Sequence, residues 1–384
     1  MKMVLKIIAG IILVLLFVLT IIVIRYPYLI DGFKSIYLKG HTTSYIADYK
    51  NYPYVKIENG DRIWEWPLHK DYNRFSLSKK INRFHKIYGT VAYLVIKNDR
   101  ILVERYYDGY HRDSLSNSFS MAKSITMSLV AKAVEEGYIG SLDDPVKKYL
   151  PEIKGAYADS VTIRHLAQMS GGTDWDENYY SPFSITAESY FSDDLDKLMF
   201  DKVDFVKKPG QNWFYASGDT QFLGMIVRRA TGKSLAEYLS EKFWKPMGMR
   251  REAYWNTDRE NGTEKAFCCI NSNARDFAKW GRLFLHEGNW NGRQLLDSVM
   301  VREITSRQLS DAPFYGLQWW LFDWGDIKGF AMRGHLGQYV AVVPSENLIM
   351  VRLGERKPYS KPGTFAEDFR VYLQEAVKLA HKVQ

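Results

Sequence analysis

The strongest hydrophobic signal in the chain comes first. Ile7 to Ile24 is an uncharged run of 18 residues in which Thr20 is the one clearly polar member. As a helix it would span ~27 Å, about the hydrocarbon thickness of a bilayer. Lys2 and Lys6 precede it and favour an inner N-terminus, although Arg25, Lys34 and Lys39 beyond it reduce the charge asymmetry. The chain continues through bulky residues, Arg25-Tyr-Pro-Tyr28, rather than the small residues of a cleavage site. The run reads as an uncleaved signal anchor on the cytoplasmic (inner) membrane, single-pass, with everything after Arg25 facing the periplasm or cell exterior. A cleaved signal peptide is the alternative.

Residues 26–80 are rich in Tyr, Trp and Pro without a sustained period, and read as a stalk and wrapping segment. From Thr90 two β-branched and aromatic runs flank Lys97-Asn-Asp-Arg100, the pattern of a hairpin. An apolar helical pattern runs from Ser120 to Glu136, with Gly137 as its stop. Signals from Asp143 to about residue 275 are mostly helical, and 275–300 predicts a helix leading back to a sheet. Strand character returns over 315–322, 329–333, 338–343 and 348–353, before a last helix over about 365–382. Strands at both ends with helices between predict one antiparallel sheet closed by both termini and a helical insertion. The expected domains are an anchor (1–25), the stalk (26–80) and a domain over 81–384. In that last domain the sheet comes from 81–111 and 276–384, and the helical subdomain from 112–275.

Composition adds exclusions. Hydrophobic residues at 46% and charged ones at 25% fit a globular chain. The net charge of +8 is spread among acidic residues without a basic run, which argues against nucleic acid. Cys268 and Cys269 are neighbours; a bridge between them would be strained and could not staple distant segments, so they read as small buried residues. No His/Cys cluster has metal-ligand spacing, so neither metal nor cofactor is implied.

Ser120-Met-Ala-Lys123 places a hydroxyl and an amine at i and i+3, on one helical face. Serine needs a base to take its proton, and lysine serves when burial lowers its pKa. The free N–H groups of a helix start favour developing negative charge. The pattern alone is weak: Ser76-Leu-Ser-Lys79 matches it equally and reads as solvated surface. Tyr215-Ala-Ser217 adds a second acid/base group and a hydroxyl, in a loop that turns at Pro209-Gly210 and enters an apolar helix. Gly334-His-Leu-Gly337-Gln338 opens a strand; its glycines allow close backbone approach to a substrate, and the Gln338 N–H could face an oxyanion.

With these three motifs the chain, over about residues 80–384, resembles the serine β-lactamase and penicillin-binding superfamily. It is most similar to the class C-like branch of esterases, D-amino-acid peptidases and 6-aminohexanoate-dimer hydrolases. Phe119-Ser-Met-Ala-Lys-Ser124, Leu142-Asp-Asp-Pro-Val146, Tyr149-Leu-Pro151 and Ile163–Gly172 carry the likeness around the motifs. The resemblance implies an α/β (α+β) fold, a β-lactamase/DD-peptidase-like antiparallel sheet flanked by helices with a helical subdomain. It makes Ser120 the nucleophile, Lys123 its base and Tyr215 the proton shuttle. The N–H groups of Ser120 and Gln338 would form the oxyanion hole, with Ser217, His335 and Gly337 around the substrate. His335 and Leu336 replace a lysine and a small hydroxyl residue that help hold a β-lactam carboxylate, and Ser217 replaces an asparagine; both changes point to ordinary esters or amides. His335 is then the one candidate cation at the position facing Tyr215. The expected activity is hydrolysis of a small-molecule or peptide-like ester or amide. A non-catalytic binder of an envelope ligand such as peptidoglycan, or a transacylase, is the rival.

Overall fold

The computed structural model describes residues 1–361 and 363–383. The apolar run forms helix α1 (Lys2–Arg25), in which no residue is buried and whose length and composition suffice to cross a membrane. Helix α2 (Tyr28–Ser35) turns Tyr28 and Gly32 inward and leaves Ile30 and Phe33 exposed. Strand β1 (Tyr54–Ile57) and helix α3 (Lys79–Ile87) follow, so the unpatterned stretch is partly ordered into elements. The Ser78 hydroxyl accepts from the Ile81 N–H and caps α3, which is how the decoy Ser76-Leu-Ser-Lys79 is used. Next come β2 (Thr90–Lys97), β3 (Arg100–Tyr106), β4 (Ser116–Asn117) and the nucleophile helix α4 (Met121–Glu135). The middle of the chain holds α5 (Ile163–Ala167), α6 (Ile185–Phe191), α7 (Leu195–Lys202), α8 (Ser217–Thr231) and α9 (Leu235–Leu239). Strands β5 (Ala253–Asn256) and β6 (Ile270–Ser272) lead into α10 (Ala274–Leu285). A small hairpin of β7 (Asn289–Trp290) and β8 (Arg293–Gln294) precedes α11 (Ser298–Ile304). The chain closes with β9 (Trp320–Asp323), β10 (Lys328–Gly334), β11 (Gln338–Val343), β12 (Leu348–Gly354) and α12 (Glu367–Ala380).

The main sheet has the order β3-β2-β12-β11-β10-β9, antiparallel throughout. The period-2 alternation sorts its side chains between two cores. Tyr93, Val95, Ala341 and Met350 face Phe369, Tyr372 and Leu373 of α12. Leu94, Ile96, Val340, Val342 and Val351 face the larger core with α4 and α10. Arg275 of α10 makes two 2.7 Å bonds to the buried Glu104 carboxylate on β3, fixing that helix to the sheet.

The helix expected over 275–300 ends at Leu285 and gives way to the β7–β8 hairpin, the strand expected over 315–322 begins at Trp320, and two larger features also depart from expectation. There is a second sheet, of order β1-β5-β6-β4, so the expected single sheet has a smaller companion. Its strands run two to four residues, with Ser, Asn and Lys interleaved, too short for the alternation to register. The adjacent Cys268 and Cys269 are bridged rather than separate thiols, with Cys269 at φ +72° in the left-handed region. Both are buried, and as neighbours they join no distant segments.

Candidate active site

Ser120 sits at the turn into α4. The residue before it, Phe119, is held at φ +45°, and the Asn117 side-chain oxygen accepts the Phe119 N–H at 2.9 Å. The bonds that close the turn run from Met121, Ala122 and Lys123 N–H to Ser118, Phe119 and Ser120 carbonyls, and none uses the Ser120 N–H. Gly334, at the end of β10, packs on this turn: a Cβ there would lie 2.2 Å from the Ser118 carbonyl oxygen. The third motif's first glycine thus serves an approach to the nucleophile turn itself.

Lys123 lies one helical turn on and is buried. Its Nζ donates to Ser120 Oγ at 3.3 Å, Ser217 Oγ at 3.0 Å and the Phe267 carbonyl at 2.9 Å. Burial pushes its ammonium down from the usual lysine range to about 8, against the opposing pull of the Glu177 carboxylate. Ser217, the first residue of α8, passes the network on: its hydroxyl donates to Glu177 Oε1 and its N–H to Oε2, each at 2.7 Å. Trp175 Nε1 donates to the same carboxylate at 2.7 Å, and the Tyr179 hydroxyl does so too. Lys123 Nζ lies 5.1 Å from the Tyr215 ring centroid. Burial, with Glu177 adding to it, raises the Tyr215 phenol above its ordinary value, while the neighbouring Ser120 hydroxyl and the Arg333 charge act the other way. Ser120, Lys123, Tyr215 and Ser217, separated by up to 97 positions in sequence, are therefore brought together.

A sequence model of the family described as Beta-lactamase matches residues 79–374. The chain belongs to this family. It is 27% identical over 287 residues to the 6-aminohexanoate-dimer hydrolase of Paenarthrobacter ureafaciens, an alignment covering 69% of this chain and 72% of that one. A Bacillus anthracis structure provisionally named as a 6-aminohexanoate-dimer hydrolase superposes with a TM-score of 0.72 at 23% identity, covering 88% of this chain and 93% of its own. The β-lactamase/D-alanine carboxypeptidase of Yersinia pestis superposes with a TM-score of 0.63 at 21% identity, covering 79% and 96%. Both structural likenesses speak to the fold.

Within this β-lactamase-family frame the third motif is built from the protein's own backbone contacts. Leu336 takes φ +59° and Gly337 φ +85°. The carbonyls of both accept 2.8 Å bonds from Arg352 Nη1, and a Cβ on Gly337 would lie 2.3 Å from that atom. The Gln338 carboxamide donates to the His335 and Gly354 carbonyls and accepts from the Gly354 N–H, so its side chain is engaged in holding β11 to β12. His335 lies edge-on to Phe119 at 5.5 Å and stacks on Tyr179 at 6.1 Å. Burial, and then the Lys357 charge, pull its imidazolium down to about 4, so the ring is neutral near pH 7.

Three residues of the site escaped the sequence reading. Glu177 is the hub that takes four donors, yet it lies 40 residues from Ser217 on an irregular loop with no period to flag it. Arg352 supports the third motif from within an apolar strand; a lone arginine in Leu348-Ile-Met-Val-Arg-Leu was the available signal. Arg333 stands two residues before His335, its guanidinium 4.0 Å from the Trp320 ring centroid and 4.7 Å from that of Phe365. Its Nη1 is buried without a hydrogen-bond partner among the described residues. Arg333, not His335, is the cation whose charge is felt at Tyr215.

Proposed function

We propose that the chain is a membrane-anchored serine hydrolase that cleaves an ester or amide through an acyl-enzyme on Ser120, on the outer face of the cytoplasmic membrane. The observation that carries the reading is the hydrogen-bonded line Ser120–Lys123–Ser217–Glu177, with a buried lysine whose pKa falls to about 8. A binding protein has no need of a lysine tuned to release its proton near neutrality. The neutral Lys123 amine accepts the Ser120 proton as Oγ bonds to the acyl carbon. The N–H groups of Ser120 and Gln338 stabilise the oxyanion that forms. When the bond to the leaving group breaks, Tyr215 donates its phenolic proton to the departing alkoxide or amine and regains one from the Lys123 ammonium. Water then attacks the acyl carbon, its proton passes to the same pair, Ser120 recovers its hydrogen, and the acyl group departs as a carboxylic acid. The 27%-identical relative named as a 6-aminohexanoate-dimer hydrolase supports the hydrolase reading. His335 and the backbone-strained Leu336 leave little to hold a β-lactam carboxylate.

The test is covalent labelling. A fluorophosphonate should modify wild-type protein at Ser120, and Ser120→Ala should abolish the adduct while Ser76→Ala leaves it intact. Short p-nitrophenyl esters should turn over faster than nitrocefin. An adduct mapped to another serine would overturn the mechanism, and nitrocefin turnover exceeding that of the esters would overturn the substrate class.

A further inference from the structure

The loop that holds the site together also ties it to the base of the apolar helix. Glu177 lies inside the network around Lys123, and Tyr179 stacks on His335. A few residues on, the Pro182 carbonyl accepts from the Tyr28 hydroxyl at 2.9 Å, and the Phe183 ring meets Tyr26, the residue after α1, at 5.1 Å. Phe183 stands six positions after Glu177, a fully extended reach of ~20 Å. The Glu177 end of the network and the Phe183 ring that meets Tyr26 are therefore within that distance of one another along a single strap.

The surface beside this strap is apolar. Tyr180 is 97% exposed and Phe183 51%; on α2 and the turn after it Phe33 is 54% and Leu38 65% exposed, with Ile30 and Tyr37 also in the open. Ile30 and Phe33 of α2 and Tyr37 in the turn after it are exposed, while Gly32 packs against the Phe191 ring of α6. A short helix with one face on the protein and an exposed face that combines Ile30 and Phe33 with the Asp31–Lys34 ion pair, directly after an apolar span, has the make-up of an element lying in the membrane interface. The continuity with α1, itself wholly unburied, names the occupant of this surface: the lipid leaflet.

We infer that the Ser120 site faces the bilayer surface and that its substrate is an amphiphile resident in the leaflet, an ester or amide whose labile bond projects from a hydrophobic tail. This rests on the reading of α1 as a retained anchor and of Ser120 as the acylated nucleophile. The aromatic lip of Tyr180 and Phe183 lies between the leaflet and the catalytic network, where it guides an emerging headgroup while the tail stays in hydrocarbon. The chemistry is the hydrolysis already written, with water as acyl acceptor.

The test uses full-length protein reconstituted in phosphatidylcholine vesicles, with p-nitrophenyl laurate carried in the bilayer and p-nitrophenyl acetate in solution. In the double variant Tyr180→Ser/Phe183→Ser, laurate hydrolysis should fall by about tenfold, ~1.4 kcal/mol, while acetate hydrolysis stays within about twofold. An unchanged ratio of the two rates would overturn the inference and leave the hydrolase reading standing. Loss of Ser120 labelling by fluorophosphonate in the wild type, or release of the protein by alkaline carbonate, would instead remove the reading beneath it. As a second measure independent of turnover, an environment-sensitive dye on Tyr180→Cys should be quenched by brominated lipid; a dye quenched only from the aqueous phase would refute the placement.

Discussion

Glu177→Gln isolates what the unanticipated carboxylate does. Glu177 is joined to Lys123 through Ser217 by hydrogen bonds of 3.0 and 2.7 Å, so the two charges stand within about 6 Å. At an effective dielectric of ~20 a unit pair at ~6 Å interacts by about 3 kcal/mol, and solvent at the open side of the loop reduces this to about 1–2 kcal/mol. The sign is fixed: a negative charge favours the ammonium, so removing it favours the free amine. Lys123, at about 8 in the intact site, should drop. The rise of kcat/KM with pH, which requires the amine, should move about one pH unit towards acid, since ~1.4 kcal/mol corresponds to one unit. The plateau should fall as well. Glutamine keeps one acceptor oxygen but sets an NH2 against groups that all donate, the Ser217 N–H and hydroxyl, Trp175 Nε1 and the Tyr179 hydroxyl. One broken charge-assisted bond of ~1.5 kcal/mol corresponds to about a tenfold loss.

The assay is kcat/KM for p-nitrophenyl acetate between pH 5 and 10, paired with the second-order rate of fluorophosphonate labelling, which reports acylation alone. Both should show the acidward shift. A lower plateau with the inflection unmoved would make Glu177 a structural brace, and an alkaline shift would refute the electrostatic argument outright.

Two further outcomes follow from the same geometry. His335→Gln should retain most of the activity and leave the inflection near 8 in place, because the imidazole is already neutral above about 4; Tyr215→Phe should lose at least ~100-fold in kcat/KM. Asp219 of α8, which accepts from the Gly171 N–H and Thr173 hydroxyl, has its carboxyl raised by burial to about 8. The native state then keeps a proton that the unfolded chain releases near ~3.9, so this stabilisation is full in acid and is lost as pH rises through 8. In Asp219→Asn the gap in Tm between pH 5 and pH 9 should shrink; an unchanged gap would show that Asp219 does not titrate in that window.

What was legible in the sequence is what local spacing encodes. Ser120 and Lys123 lie one turn apart on α4 because i and i+3 always do, and the strands β10 to β12 stand within two residues of their expected bounds because short, mostly apolar runs mark strands covered on both faces. The small sheet was not legible: Ser116-Asn117 and Ile270-Asn-Ser272 are polar pairs of neighbours whose strand state depends on each other, not on their own residues. Nor was Glu177, whose role exists only once the turn at Gly171-Gly172 folds the loop back over α8. There Gly172, at φ +80°, sits against the Lys207 carbonyl, and Asp219 receives the Gly171 N–H. The third motif misled in an informative way. His335, the one candidate cation in the sequence, is neutral, and the positive charge comes from Arg333 near the end of β10, two residues earlier.

On the proposed mechanism the site needs no lysine at position 335. Burial drives Lys123, Tyr215 and His335 each towards the uncharged form. The charges left are Glu177, held by four donors beyond Ser217, and Arg333, held over Trp320 where a guanidinium keeps its charge even when desolvated. Lys123 feels the first and Tyr215 feels both, so a proton moving between amine and phenol travels in a field set by these two groups. Histidine at 335 need supply no charge for this, only a ring that lies parallel to Tyr179 on the Glu177 loop. A single pH-dependent step, the deprotonation of Lys123, is therefore the expectation for acylation, and a second ionisation near neutrality in the labelling profile would mean that a charge has been assigned to the wrong residue.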